Sequence, residues 1–343
     1  MEGRDESDER VNCISVKAIA TLRGGMPSTY GRRRTVATGC WGVLLAGFAT
    51  LLWAQQTQAP DLKAQQNQPP EFSANELVKE TVAREVAAAN DPSIKHMFRS
   101  RKQTPRGSQT RLYVETNDSI AGMLIAVNDQ PLNPQQKQAE MDHLAWLANN
   151  PEQLRKKHAR EKEDAERSLR IVKALPEAFR YEYAGSENSG PGLGKSGQPL
   201  LRLKFTPNPA YNPPSHVEQV LEGMQGDLLI DASVKKFARV DGSLFRDVTF
   251  GWGIIGHLDK GGHFRVQQAD VGDGTWEITH MSLKMTGKFL MFKSINIDSD
   301  EVYSDFQRVP ANLTFAKGVE MLKSAEEKLA HNGETNLAKQ NSR

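Results

Sequence analysis

The chain has 343 residues, 44 of them basic and 42 acidic, and 7% are aromatic. Removing the seven basic and five acidic residues of 1–54 leaves 37 of each. A neutral body with few rings excludes the net basic surface of a non-specific nucleic-acid binder and the stacking platform of a single-strand binder.

The N-terminus reads as an export signal. Arg32-Arg33-Arg34 precedes the apolar run "TVATGCWGVLLAGFATLLWA", which ends at Ala54 before a polar stretch. A basic region, a long apolar region and a small residue at its end fit cleavage near Ala54. The run also approaches the length of a membrane-spanning helix, so an uncleaved anchor is the alternative. Acidic residues crowd positions 2–9, whereas a start at Met26 gives a conventional basic leader. Both cysteines, Cys13 and Cys40, lie in this part, so the exported body has no disulfide, thiolate metal site or cysteine nucleophile. Cys40 precedes most of the apolar run, which excludes it as a lipid-attachment residue.

Residues 55–71, rich in Gln and Pro, read as a disordered linker. A single domain is expected over 72–331, with a disordered tail over 332–343. Ser73-Ala-Asn-Glu76 is a capping-box pattern opening a helix over 74–89, with Leu77, Val78, Val82 and Val86 along one side. The runs "SIKHMFRSRK", "TRLYVETN" and "SIAGMLIAVN" predict antiparallel strands. Asn133-Pro134 supplies an N-cap and first-turn proline for a helix over 133–149, with Met141, Leu144 and Leu147 inward. Pro151 starts a second helix to about Leu175. Its middle, "RKKHAREKEDAERSLR", pairs opposite charges four residues apart, as on a solvated face.

"FRYEYAG" and "LLRLKFTP" return to strand around a Gly/Ser-rich loop over 186–199, and a short helix is expected over 215–223. From Gly226 to Arg308 the chain is nearly all strand, punctuated by Asp-Gly, Gly-Gly and Gly-Lys turns. A last helix over about 312–331 carries Leu313, Phe315, Val319, Leu322 and Leu329. The expected fold is α+β: a long curved antiparallel sheet, an incomplete barrel, covered by helices, with an inserted helical pair over 133–175.

"FGWGIIGHLDKGGHF" places Gly251, Gly253 and Gly256 in the spacing of a dinucleotide-binding turn. That turn requires a helix to follow, and only four residues separate Gly256 from Gly261. The glycines therefore read as bend and turn positions in a strand, with a hairpin turn at Asp259-Lys-Gly-Gly262. His257, Asp259, His263 and His280 lack the fixed spacing of a metal or acid–base site. No nucleophile elbow, phosphate loop or paired-carboxylate signature appears, so neither an enzyme nor a cofactor is expected. The apolar strand faces are more informative. Phe98, Met123, Phe250, Trp252, Met281, Met285, Phe289 and Met291 form a Met- and aromatic-rich set suited to an irregular apolar ligand in a cavity between sheet and helices.

The piece "EGMQGDLLIDASVKKFARVDG" resembles the LolA/LolB-like outer-membrane lipoprotein-sorting superfamily, with one strand ending in an Asp-containing turn and the next alternating apolar and basic residues. The chain is also similar to secreted bacterial proteins of this architecture. The resemblance covers about 72–130 and 178–310; the helical pair lies outside it. It implies a half-barrel whose apolar interior shelters acyl chains, in an exported periplasmic protein that binds a lipid or lipidated partner. No position carries over residue by residue. The alternative is a ligand-free envelope scaffold that docks through the charged helix 151–175.

Overall fold

The computed structural model describes residues 73–251, 255–272, 274–289 and 293–341. The export signal and linker expected over 1–71 lie outside the described residues. From Ala74 onward the chain belongs to one compact unit.

Helix α1 (Ala74–Ala89) is followed by β1 (Lys95–Thr104), β2 (Gly107–Glu115), β3 (Ile120–Val127) and the short β4 (Gln130–Pro131). The helical pair is α2 (Pro134–Ala148) and α3 (Pro151–Ala178). Then come β5 (Phe179–Asn188), β6 (Pro199–Pro207), a 3-10 turn at Glu218–Gly223, β7 (Met224–Asp231) and β8 (Lys236–Leu244). The last strands are β9 (Val248–Phe250), β10 (Gly256–Leu258), β11 (His263–Asp270), β12 (Trp276–Phe289) and β13 (Lys293–Val309), and α4 (Phe315–Asn341) follows.

The strands pair as one antiparallel sheet in the order β4-β3-β2-β1-β13-β12-β11-β8-β7-β6-β5, with β10 joining β12 and β9. No pairing links β4 to β5, so the sheet is open. The expected α+β architecture is therefore present.

The start signal written at Asn133-Pro134 sets α2. At α2, Asn133 accepts from the Gln136 amide at 2.9 Å while the Gln136 side chain accepts from the Asn133 amide at 3.0 Å, a reciprocal cap with proline at the first turn. Two differences from expectation have local causes. Residues 332–341, expected as a tail, continue α4, because Leu337, Ala338, Lys339 and Gln340 are good helix formers that outweigh Asn332-Gly333. The glycine stretch is not one bent strand but a reversal. Phe250 pairs with Gly256 and Val248 with Leu258, making β9–β10 a hairpin, and Gly251 at φ 54° opens its turn.

Cross-strand partners share a sheet face, so the register shows which face each cluster occupies. Leu203 pairs with Leu228, Leu228 with Val240, Val240 with Val266 and Val266 with Met281. On this first face, α1 and α3 close the β5–β8 half: Leu77, Val78, Val82, Leu175 and Ala178 pack with Phe179, Leu203, Phe205, Leu228, Ile230 and Phe237. Each fully buried Leu, Ile or Phe there contributes about 1.5–3 kcal/mol relative to exposure.

The opposite face of β1–β3 carries Leu112, Val114, Ala121 and Met123, covered by Leu144 and Leu147 of α2 and by Phe315, Val319 and Leu322 of α4. The opposite face of the β5–β11 half carries a small apolar cluster, Leu200, Leu229 and Ala238 with Leu193 and Trp276 against them, beside an ion ladder. Arg202 meets Asp227 at 3.1 Å and Glu187 at 3.3 Å, Arg239 meets Glu187 at 3.1 Å, and Asp241 meets His263 at 2.8 Å and Arg265 at 2.6 Å. Thus the two helix pairs cover opposite faces at opposite ends of the sheet.

Candidate functional site

The helices reach the sheet chiefly through β2, β3, β5 and β8. The central strands β11 and β12 lie between the two covered regions. On the first face they carry Phe264, Val266, Met281 and Leu283, all half-buried, beside half-buried Val240 of β8.

Glycine shapes this band. Phe264 pairs with Gly242, and Gly242 pairs with Gly226, which pairs with Phe205. A Cβ on Gly242 would lie 2.4 Å from the Phe264 ring, and one on Gly226 would lie 1.9 Å from the Asp241 carbonyl oxygen. Two strands without side chains therefore separate Phe205 from Phe264, and the Phe264 ring settles into that space. With that space filled by the ring, Phe264 and Leu283 form a half-buried apolar band next to the packed core.

The sheet forks beside this band. Pairing of β12 with β13 stops at His280 and Val302, below which β12 stays with β11 and β13 stays with β1. Phe98, Tyr113, Ile120, Ile278 and Tyr303 fill the fork, with Val266, Met281 and Phe306 against them. Phe98 stacks on Phe306 at 5.6 Å between ring centroids. Gly122 makes room for Tyr113, since a Cβ there would lie 2.5 Å from its ring. Nearby, buried His96 places Nδ1 3.0 Å from the Glu277 carboxylate, and its backbone amide donates to Glu115 at 2.7 Å.

The predicted ligand-binding residues divide accordingly. Phe98 and Met281 share the fork cluster, and Phe250 and Met285 belong to the core under α1 and α3. Met123 lies on the opposite face, under α2 and α4. Trp252 and Met291 fall outside the described residues, and of Phe289 only the backbone is described. The sequence reading missed Phe264, Val266 and Leu283 as a group. Its available signal was the alternation of "HFRVQQAD", whose apolar positions sit opposite Gly242 and Val240.

His257, His263 and His280 have separate carboxylate partners. His257 lies 3.2 Å from Asp259, His263 lies 2.8 Å from Asp241, and His280 lies 2.7 Å from Asp300. Burial raises the Asp241 carboxyl, but hydrogen bonds from His263 and Arg265 outweigh it and hold the group below its usual range. Among the described residues, no group of three or more His, Cys, Asp or Glu side chains is placed to hold a metal ion.

Helix α3 shows the expected charge pairing at Glu163–Arg167, and Glu152–Lys156 adds a second pair at 2.7 Å. Its buried anchor is Glu161, which accepts from Ser119 Oγ at 2.8 Å and pairs with Lys157, while Lys157 also donates to the Ile120 carbonyl at 2.7 Å. Among the described residues, no helix is long and apolar enough to cross a membrane.

A polar cavity of about 250 Å³ opens at the β1–β2 turn. Lys102, Arg106, Ser108 and Asn128 line one side, and Asn296, Ile297, Asp298 and Ser299 of β13 line the other. Ile297 and Ser299 pair with Met285 and Leu283, so the cavity lies beside the half-buried band.

No family model matches the chain, and no curated protein does. Among solved structures, it is similar to a domain from Vibrio parahaemolyticus described as an outer-membrane lipoprotein-sorting protein, at 12% identity over 73% of this chain and 97% of that one. The TM-score is 0.28, a level at which the likeness carries no argument; the open sheet and its helical cover stand on their own geometry.

Proposed function

We propose that this is an exported periplasmic protein that binds a lipid, or the acyl chains of a lipidated partner, on the first face of its open sheet. The observation that supports this reading is the half-buried band of Phe264, Val266, Met281 and Leu283 across the central strands, between the helix-covered ends. A chain laid across this band would cover these side chains, gaining about 0.8 kcal/mol for each CH₂ removed from water. Methionine at 281 suits an occupant of irregular shape.

Docking through α3 as a scaffold has less support. Some exposed charges of that helix pair within it, Glu152 with Lys156 and Glu163 with Arg167, and its buried residues serve its attachment to the start of β3 and to the core. Organic extraction and native mass spectrometry of the purified protein test the lipid reading. It expects a co-purifying or titratable amphiphile at one per chain. A protein that carries none and takes up none would overturn it.

A further inference from the structure

The sheet is open, so it ends in two edges, and the chain treats them differently. Along β3, beside the short β4, outward backbone groups are taken up from within the molecule. The Ile120 amide donates to Glu161 at 3.3 Å and the Leu124 amide to Glu140 at 2.9 Å, while the Ile125 carbonyl accepts from the Leu132 amide at 3.2 Å. Masking of this kind keeps an edge from pairing with another chain. The β5 edge is built otherwise. We infer that the Phe179–Tyr183 segment of β5 is a self-pairing edge, on which a second copy of this chain docks antiparallel across a two-fold axis.

Register shows which groups face out. The Asn208 amide donates to the Ala178 carbonyl at 2.8 Å, which continues the β5–β6 pairing by one residue. Alternation then points the backbone groups of Arg180 and Glu182 at β6, and those of Phe179, Tyr181 and Tyr183 away from it. Among the described residues, no hydrogen bond takes up the outward backbone groups of Tyr181. The segment is held in place from one side. The Phe179 and Tyr181 rings belong to the core under α1 and α3, and the Tyr181 hydroxyl donates to the Leu175 carbonyl at 2.7 Å. Beyond Tyr183 the register shifts at a bulge, and Gly185 at φ 103° ends the pairing surface.

Charge names the occupant. Phe179-Arg180-Tyr181-Glu182-Tyr183 places a cation and an anion symmetrically about Tyr181. With Tyr181 on the axis, opposite itself, Arg180 of each copy faces Glu182 of the other. A residue on such an axis exchanges both hydrogen bonds with its own copy, which requires outward backbone groups, and Tyr181 has them. Arg180 and Glu182 are both exposed. Neither makes an ion pair among the described residues, although Lys204 lies opposite Glu182 in the β5–β6 register. Two unspent charges of opposite sign, two residues apart, thus match an antiparallel copy of the same strand.

Sedimentation equilibrium of the whole purified protein tests this pairing. The wild type should dimerise, more weakly as salt is added. Arg180→Glu and Glu182→Arg each set like charges across the seam, and each should weaken dimerisation about tenfold or more. An equimolar mixture of the two variants restores opposite charges at both contacts and should dimerise about as tightly as the wild type. Misfolding of either variant could not produce that rescue. A wild type that stays monomeric, a dimer unchanged by both substitutions, or a mixture as weak as each variant alone would overturn the inference. The lipid reading concerns the band on β11 and β12 and stands apart from each of these results.

Discussion

Glu85 of α1 is the polar tie between the first helix and the sheet, and replacing it gives a graded prediction. Its side chain is almost fully buried, accepts from Lys236 Nζ at 3.1 Å and accepts from the Phe237 backbone amide at 3.1 Å. Burial raises its carboxyl above the usual value of 4.5, and Lys236 and the Phe237 amide only partly offset that rise. Its place near the negative C-terminal end of α1 acts in the same direction. Glu85→Ala strands a buried amide, at about 1–3 kcal/mol, and unpairs Lys236, whose cost stays below the full penalty of a broken buried pair because its side chain reaches solvent. A combined loss of about 3 kcal/mol lowers the melting temperature by about 6–12 °C in a domain of this size. Glu85→Gln keeps an acceptor for Phe237 and should cost about 1 kcal/mol.

The pH dependence supplies the sign. A carboxyl whose folded pKa is raised binds its proton more tightly when folded, so this group's contribution improves as pH falls through the raised value toward 4.5 and worsens as pH rises. Thermal unfolding of the wild type and both variants from pH 4.5 to pH 8 measures this. Glu85→Gln should remove part of the loss of stability seen on raising pH. A Gln variant as unstable as the Ala variant, or a pH profile identical to the wild type, would refute the reasoning.

Two further predictions concern the sheet. The Asp241 carboxyl is held low, so its stabilisation is present above 3.8 and is lost as pH falls through the depressed value; Asp241→Asn should flatten that acid limb in urea melts taken between pH 5 and pH 2. Gly242→Val should displace the Phe264 ring from the space it fills over Gly242, cost about 1–3 kcal/mol by overpacking, and weaken dodecyl phosphate binding measured by calorimetry.

The architecture was legible because its signals are local. The Asn133-Pro134 cap, the alternation of "TRLYVETN" and the Leu144/Leu147 spacing are each read within a dozen residues, and each element formed as those signals indicate. The candidate site was less legible because it depends on register. Met123 and Met281 look equivalent in the sequence, yet Met123 pairs with Leu112 on one face while Met281 pairs with Val266 on the other. The seat of the Phe264 ring needs Gly226, Gly242 and Phe264 aligned across three strands, which no spacing along the chain announces. The cavity likewise joins the 102–109 turn to residues 296–299, nearly two hundred positions away.

The central claim is that the band on β11 and β12 receives an acyl chain, and chain length tests it most directly. Affinities of alkyl phosphates from ten to fourteen carbons should rise about fourfold per methylene, or about two hundredfold across the series, as each added CH₂ leaves water. The same series on Gly242→Val should rise less steeply. Affinity that does not depend on chain length, or a slope unchanged in Gly242→Val, would contradict the account.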